Sequence, residues 1–198
     1  MSARTLLLIS PFFHPNVGGV ETRLLDLVRT LDQYGHRTEV LTYQPVTSGR
    51  RGPSRERLGK TTIRRYPWPG GDLFHRLLGY PALEVLYLVP GLLAAALLFM
   101  VKNRRLIDTV HTPGLNASLI GRLLKRLFGG RWVASTHTIY GFARGTTFSR
   151  IAAWVLREAD CIVALSEPSR EELIRIGLDP GRIVTALTWV DQERFRPL

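Results

Sequence analysis

Two adjacent glycines, two histidines that close strand-like runs and one dense run of arginines are the residues here whose types and spacing suit chemistry. Gly18 and Gly19 lie near the end of the stretch Ser10-Pro-Phe-Phe-His-Pro-Asn-Val-Gly-Gly-Val-Glu21, which joins the apolar run Leu6 to Ile9 to an amphipathic one. Glycines at a helix start let the backbone approach a phosphate closely, and the helix dipole favours the anion. The plainer alternative is a tight strand-to-helix turn. The loop has no G-x-G-x-x-G, which argues against a nicotinamide or flavin, and no cofactor is expected. Glu21 falls in the first helical turn, where a carboxylate caps the helix and complements its dipole but would repel a phosphate.

His111 closes a strand-like run and either lines a cleft or only packs, and His137 closes another. His36 follows Gly35 at a helix end, where an imidazole can meet the last carbonyls. His14 and His75 have no evident partner, and none of the five histidines has ligand spacing such as H-x-x-x-H, so no metal is expected. Ser166 with Pro168 is a capping arrangement, and the glycines of a nucleophile elbow are missing around it, which disfavours hydrolase chemistry.

Net charge is +11, and 24 of the 27 basic residues are arginine, which suits fork-like contacts to phosphate. Arg50, Arg51, Arg55, Arg57, Lys60, Arg64 and Arg65 face only Glu56 within residues 50–65. The partner should be anionic. No nucleic-acid reading motif and no stacking aromatic lies among these arginines, so no nucleic acid is expected and a membrane surface or phosphorylated lipid fits better.

The elements that must position these groups follow from periodicity. Strands are expected at 5–9, 38–43, 61–66, 107–111, 131–136, 160–165 and 182–187, and helical runs at 19–34, 72–101, 114–128, 147–158 and 167–176. Such alternation means parallel strands with crossover helices on both faces, a doubly wound, mostly parallel α/β sheet of Rossmann-like type. With 198 residues and 45% hydrophobic composition, one domain is expected over 1–198. Residues 44–60, rich in Gly, Pro, Ser and Arg, read as a mobile loop. Cys161 reads as a buried strand thiol. Leu83 to Val101 is too broken for a spanning helix; followed by Lys102, Arg104 and Arg105, it is either an interfacial membrane contact or a crossover helix packed on the sheet. The amino terminus leads directly into a strand with no cleavage site, so the cytoplasm is the expected compartment.

Four separated segments resemble the N-terminal domain of family-4 glycosyltransferases, retaining nucleotide-sugar enzymes of GT-B architecture. They are Phe12 to Glu21 with Leu31 to Val40, Asp108-Thr-Val-His-Thr112, Ser135-Thr-His-Thr138, and Ala159-Asp-Cys-Ile-Val-Ala-Leu-Ser-Glu167. The closing Val190-Asp-Gln-Glu-Arg-Phe-Arg-Pro197 is similar to the family's passage into its second domain. The chain departs from the pattern at Pro113, where a second histidine is common, and at Thr188-Trp189, where Asn-Gly is common.

The resemblance implies a single acceptor-side half of a GT-B enzyme, with the C-terminal donor-binding domain absent. Sugar would pass from a nucleotide-diphosphate donor to a lipid-linked or glycan acceptor, with a second half on a separate chain or lost by truncation. The chain alone is expected to be inactive. By position, Gly18 and Gly19 match the donor-phosphate loop and His137 matches a histidine near the donor sugar, which would orient that sugar or donate a hydrogen bond to it. His111 and Glu21 would line the cleft. The six arginines between Arg50 and Arg65 would hold an anionic membrane, with the protein peripheral on its inner face. The alternative is a non-catalytic module that holds a phosphorylated lipid or glycan.

Overall fold

The computed structural model describes residues 3–47, 50–77, 80–137, 140–142 and 145–186. β1 (Thr5–Ile9) is apolar on both faces, as a strand between two helical layers must be, and Leu7, Leu8 and Ile9 are fully buried. The other strands are β2 (Arg37–Tyr43), β3 (Arg55–Leu58), β4 (Thr61–Tyr66), β5 (Thr109–Pro113), β6 (Arg131–Ser135), β7 (Cys161–Ala164) and β8 (Ile183–Thr185). They form one eight-stranded sheet in the order β3-β4-β2-β1-β5-β6-β7-β8. Every neighbouring pair is parallel except β3 and β4. The helices are α1 (Gly19–Gln33), α2 (Asp72–Leu77), α3 (Pro81–Asn103), α4 (Gly114–Phe128), α5 (Thr147–Leu156) and α6 (Glu167–Arg175).

Strand order reverses between β1 and β5. The chain moves outward on one side through β2 and β4, then α3 carries it back to β5 on the other side of β1. Doubly wound sheets bind ligands beyond the strands' carboxyl ends at such a reversal. Alternate residues serve opposite faces. Leu8, Val40 and Ile63 pack with Leu24 and Val28 of α1, whereas Leu7, Ile9, Leu41 and Tyr43 pack with Leu88, Leu92 and Ala96 of α3.

Across Pro90, which has no N–H to give, the Tyr43 hydroxyl accepts from the Leu92 amide at 2.6 Å and donates to the Leu88 carbonyl at 2.9 Å. Gly91 lets Trp68 pack against the same turn, since a β-carbon there would overlap the indole. By length and composition Ala82–Leu106 suffices to cross a bilayer, with mean hydropathy 2.1 over an 18-residue stretch of it. Its inner face is nonetheless part of the core, with Leu88, Leu92 and Ala96 fully buried. Its outer face leaves Leu83, Leu86, Leu98 and Val101 exposed. Beside α3 on the same face of the sheet, Arg122 of α4 is fully buried; it bonds the Trp154 carbonyl, pairs with Glu158 at 2.6 Å and lies over the Trp154 ring.

Three expectations are corrected. Residues 44–60 are not one mobile loop, because β3 pairs with β4 there; its charged Arg-Glu-Arg suits an exposed edge strand. The apolar region 72–101 divides into α2 and α3. Cys161 is a free thiol only partly buried, whose pKa is raised by burial and then by Asp160. The closing segment Val190–Pro197 and Thr188-Trp189 lie outside the described residues.

Candidate functional site

The β1–α1 loop is held before it reaches the glycines. Arg65, expected among the surface arginines, is buried instead. Its guanidinium donates to the His14 carbonyl at 2.7 and 3.1 Å and to the Pro53 carbonyl at 3.0 Å, and it pairs with Glu56 at 2.7 Å. Buried Asn16 accepts from the Thr47 hydroxyl at 2.9 Å. So fixed, the loop presents Gly18 as the N-cap of α1 with no side-chain cap. The first amides of a helix have no partner inside it, and a β-carbon at Gly19 would meet nothing within 4 Å. The Glu21 carboxylate folds back over the Gly18 α-carbon, in the manner of a capping residue.

Near the carboxyl ends of β5 and β6 lies a cluster in which His111, expected to close its strand, sits in the middle of β5, Ser135 ends β6 and His137 follows two residues later. His111 Nε2 is 3.0 Å from Ser135 Oγ, and Ser135 Oγ is 3.2 Å from His137 Nε2. One hydroxyl has one proton to donate, so one imidazole accepts from Ser135 while the other donates to it. Both rings are neutral at ordinary pH. Burial, then His137 and then Arg23, pull His111 down to about 3. Burial and then Arg23 pull His137 down to about 4.

Arg23, one turn into α1, is the cation these rings share. Its Nη2 reaches the Ala186 carbonyl at 3.4 Å, and its buried Nη1 has no hydrogen-bond partner among the described residues. Sequence reading missed it, because what marks it is its place beside two histidines far away in sequence. Also missed was Glu172 of α6. Its buried carboxylate accepts from the Tyr140 and Phe142 amides at 3.0 and 2.7 Å and so anchors the chain that follows His137. Thr136 bonds Ser169, also of α6, at 3.1 Å and pins the chain just before His137.

Of the residues singled out beforehand, Gly18, Gly19, Glu21, His111 and His137 all lie at this end of the sheet. The arginine run is dispersed. Arg50 and Arg51 are exposed near the end of β2, and Arg51 borders a cavity of about 520 Å³ with Trp68. Arg55 is level with Arg64, and Arg57 with Thr62 near the opposite end of the strands. Arg64 pairs with Glu39 at 3.1 Å and covers the Phe99 ring. His36 accepts from the Arg4 amide at 3.2 Å, tying α1 to β1. Among the described residues no group of three or more His, Cys, Asp or Glu side chains is placed to hold a metal.

Sheet order and the position of the cluster define the class of protein: a Rossmann-like half of the GT-B glycosyltransferase architecture. Solved structures agree. Sucrose-phosphate synthase from Thermosynechococcus elongatus superposes with a TM-score of 0.76 at 18% identity, over 98% of this chain and 50% of that one. Anabaena HepE in complex with UDP-glucose gives 0.62 at 16%, over 96% and 45%. Residues 18–187 match the family described as "Glycosyl transferase 4-like domain", and the chain belongs to that family. It is 27% identical to an Arabidopsis thaliana protein named as a subunit of phosphatidylinositol N-acetylglucosaminyltransferase, over 97% of this chain and 41% of that protein. The chain thus spans about two fifths of that relative.

Proposed function

We propose that this domain is the acceptor-side half of a retaining glycosyltransferase that moves a sugar from a nucleotide-diphosphate donor to the hydroxyl of an inositol phospholipid. The observation that carries the reading is the cluster of His111, Ser135, His137 and Arg23 beside the Gly18-Gly19 helix start. The name of the Arabidopsis relative supports the sugar N-acetylglucosamine and the acceptor phosphatidylinositol, and the UDP-glucose of the Anabaena structure supports a uridine nucleotide.

In the reaction the acceptor oxygen bonds to the anomeric carbon, the bond from that carbon to the donor phosphate oxygen breaks, and the acceptor proton passes to the departing diphosphate. The transition state has positive charge on the sugar and growing negative charge on the phosphate. A neutral His137 can hydrogen-bond the sugar without adding positive charge beside it. Arg23 and the first amides of α1 are suited to the phosphate. The family reading assigns the main diphosphate contacts to a donor-side half, in the same longer protein or in a partner chain.

An anionic membrane surface, faced from the cytoplasmic side, is the proposed location, because a lipid acceptor lies there and the chain carries +11 net charge. The test supplies the 198-residue chain, alone and with a donor-side half, with UDP-N-acetylglucosamine and phosphatidylinositol in vesicles. Transfer is expected only with the donor-side half. Turnover by this chain alone, or its tight binding of the nucleotide sugar, would move the donor site here and overturn the reading.

A further inference from the structure

At the amino-terminal end of the sheet, opposite the histidine cluster, the structure gathers cations that are scattered in sequence. Arg37 opens β2, Arg57 and Lys60 belong to the β3–β4 hairpin, and Lys102, Arg104 and Arg105 follow one another at the end of α3. None of the six forms an ion pair among the described residues. A cavity of about 520 Å³ lies between Arg37, Arg57 and Lys60 on one side and Phe99, Asn103 and Leu106 on the other. Glu39 also borders it, but its carboxylate is taken up by Arg64 at 3.1 Å.

The same end carries the second half of the pattern. Leu106, 66% exposed, lies in the turn just past α3, beyond a row on the helix's outer face that ends with Leu98 at 67% and Val101 at 68%. The row extends back through Ala94, Pro90, Leu86 and Leu83, all exposed and spaced by three or four residues, so it is one helix face about 27 Å long. A soluble anion would need the cations but not the row. A bilayer surface uses both, since the apolar face sinks into the acyl boundary while the cations stay at head-group level.

We propose that the outer face of α3, which runs from one end of the sheet to the other, lies along an anionic lipid bilayer, with a lipid phosphate seated among Arg37, Arg57 and Lys60 and acyl chains against Leu98, Val101 and Leu106. The inference rests on the membrane contact proposed above and moves it away from Arg50 and Arg51.

The test is cosedimentation of the chain with phosphatidylcholine vesicles, with and without phosphatidylserine, across a salt series. The wild-type chain should bind only the charged vesicles and release as salt rises. Arg57→Glu with Lys60→Glu should weaken binding roughly tenfold or more, and Leu98→Ser with Val101→Ser should do likewise. All four positions are exposed, and circular dichroism with urea titration checks that each variant folds. Arg50→Glu with Arg51→Glu should shift binding by no more than about threefold. No wild-type binding would remove the membrane reading and this inference with it. Binding that depends on Arg50 and Arg51 but not on Arg57 and Lys60 would keep the membrane reading and overturn this inference. A dimer in sedimentation that Leu98→Ser with Val101→Ser dissolves would make the row a protein interface and overturn it too.

Discussion

The two ends of one sheet use the same residue type for opposite purposes. At the carboxyl end Arg65 is buried and bonded to two backbone carbonyls and a carboxylate, and Arg23 stands partly buried beside two neutral histidines. At the amino end Arg37, Arg57 and Lys60 are exposed and unpaired among the described residues. Arg57 and Arg65 are both strand residues of one β-hairpin, yet one faces water and the other shapes a loop. A charge with wired partners holds a shape, and a charge without them is left to meet something from outside.

The largest effect is expected at the carboxyl end. In an assembly with the donor-side half, His137→Ala should lower turnover by roughly tenfold to a thousandfold, the scale of one lost transition-state contact. Its stability should fall by no more than about 1 kcal/mol, since Ser135 is its one hydrogen-bond partner among the described residues. Full activity in a merely less stable protein would leave the carboxyl end as scaffold, and the contrast between the ends would reduce to buried against exposed.

Arg65→Met ranks next. It removes four hydrogen-bonding contacts and leaves Glu56 and the His14 carbonyl without their donor, a cost of about 3 kcal/mol. Urea titration reads it directly. A loss under about 1 kcal/mol would mean that the β1–α1 loop keeps its shape without Arg65.

Acid should loosen the same end. His111 and His137 sit at about 3 and about 4 in the folded chain, against about 6.5 unfolded. Between those values the unfolded chain binds more protons, so stability is complete above about pH 6.5 and falls as pH drops toward 4. His111→Gln should flatten part of that slope. Thermal melts across the window that show no slope, or no change in the variant, would mean that the imidazoles are solvated rather than packed with Ser135.

Much of the fold was legible because its signals are local. β1, α1, β2 and β4 follow from apolar periodicity, and β5 through β8 follow with boundaries shifted by no more than two residues. β3 was not, because an edge strand of Arg-Glu-Arg-Leu has the composition of a loop and is recognised only by its partner. The glycine turn and His137 were legible through a motif, and His111 was left open. Arg23 and Glu172 were not, since what marks them is burial beside groups about 90 and 30 residues away. The arginine run misled for the same reason: adjacency in sequence says nothing of which end of a strand a residue occupies, and Arg64 and Arg65 face opposite sides of β4.

The smallest effect is the one that most sharpens the contrast. Arg57→Ala with Lys60→Ala should leave folding stability within about 0.5 kcal/mol of wild type, because exposed cations without partners contribute little to the fold. Arg57 gives up only one bond from Nε to the Gly59 carbonyl at 3.1 Å, across an exposed turn. The turn itself is held by the Lys60 backbone amide, which donates to Asp32 at 2.9 Å and survives the change to alanine. Relief of repulsion among Arg37, Arg57 and Lys60 offsets what little is lost. A urea midpoint matched to wild type, alongside a clear drop for Arg65→Met, would separate a structural arginine from a recruiting one within one hairpin. A loss above about 1 kcal/mol would show that the amino end is wired like the carboxyl end, and its cations would no longer be free for a membrane.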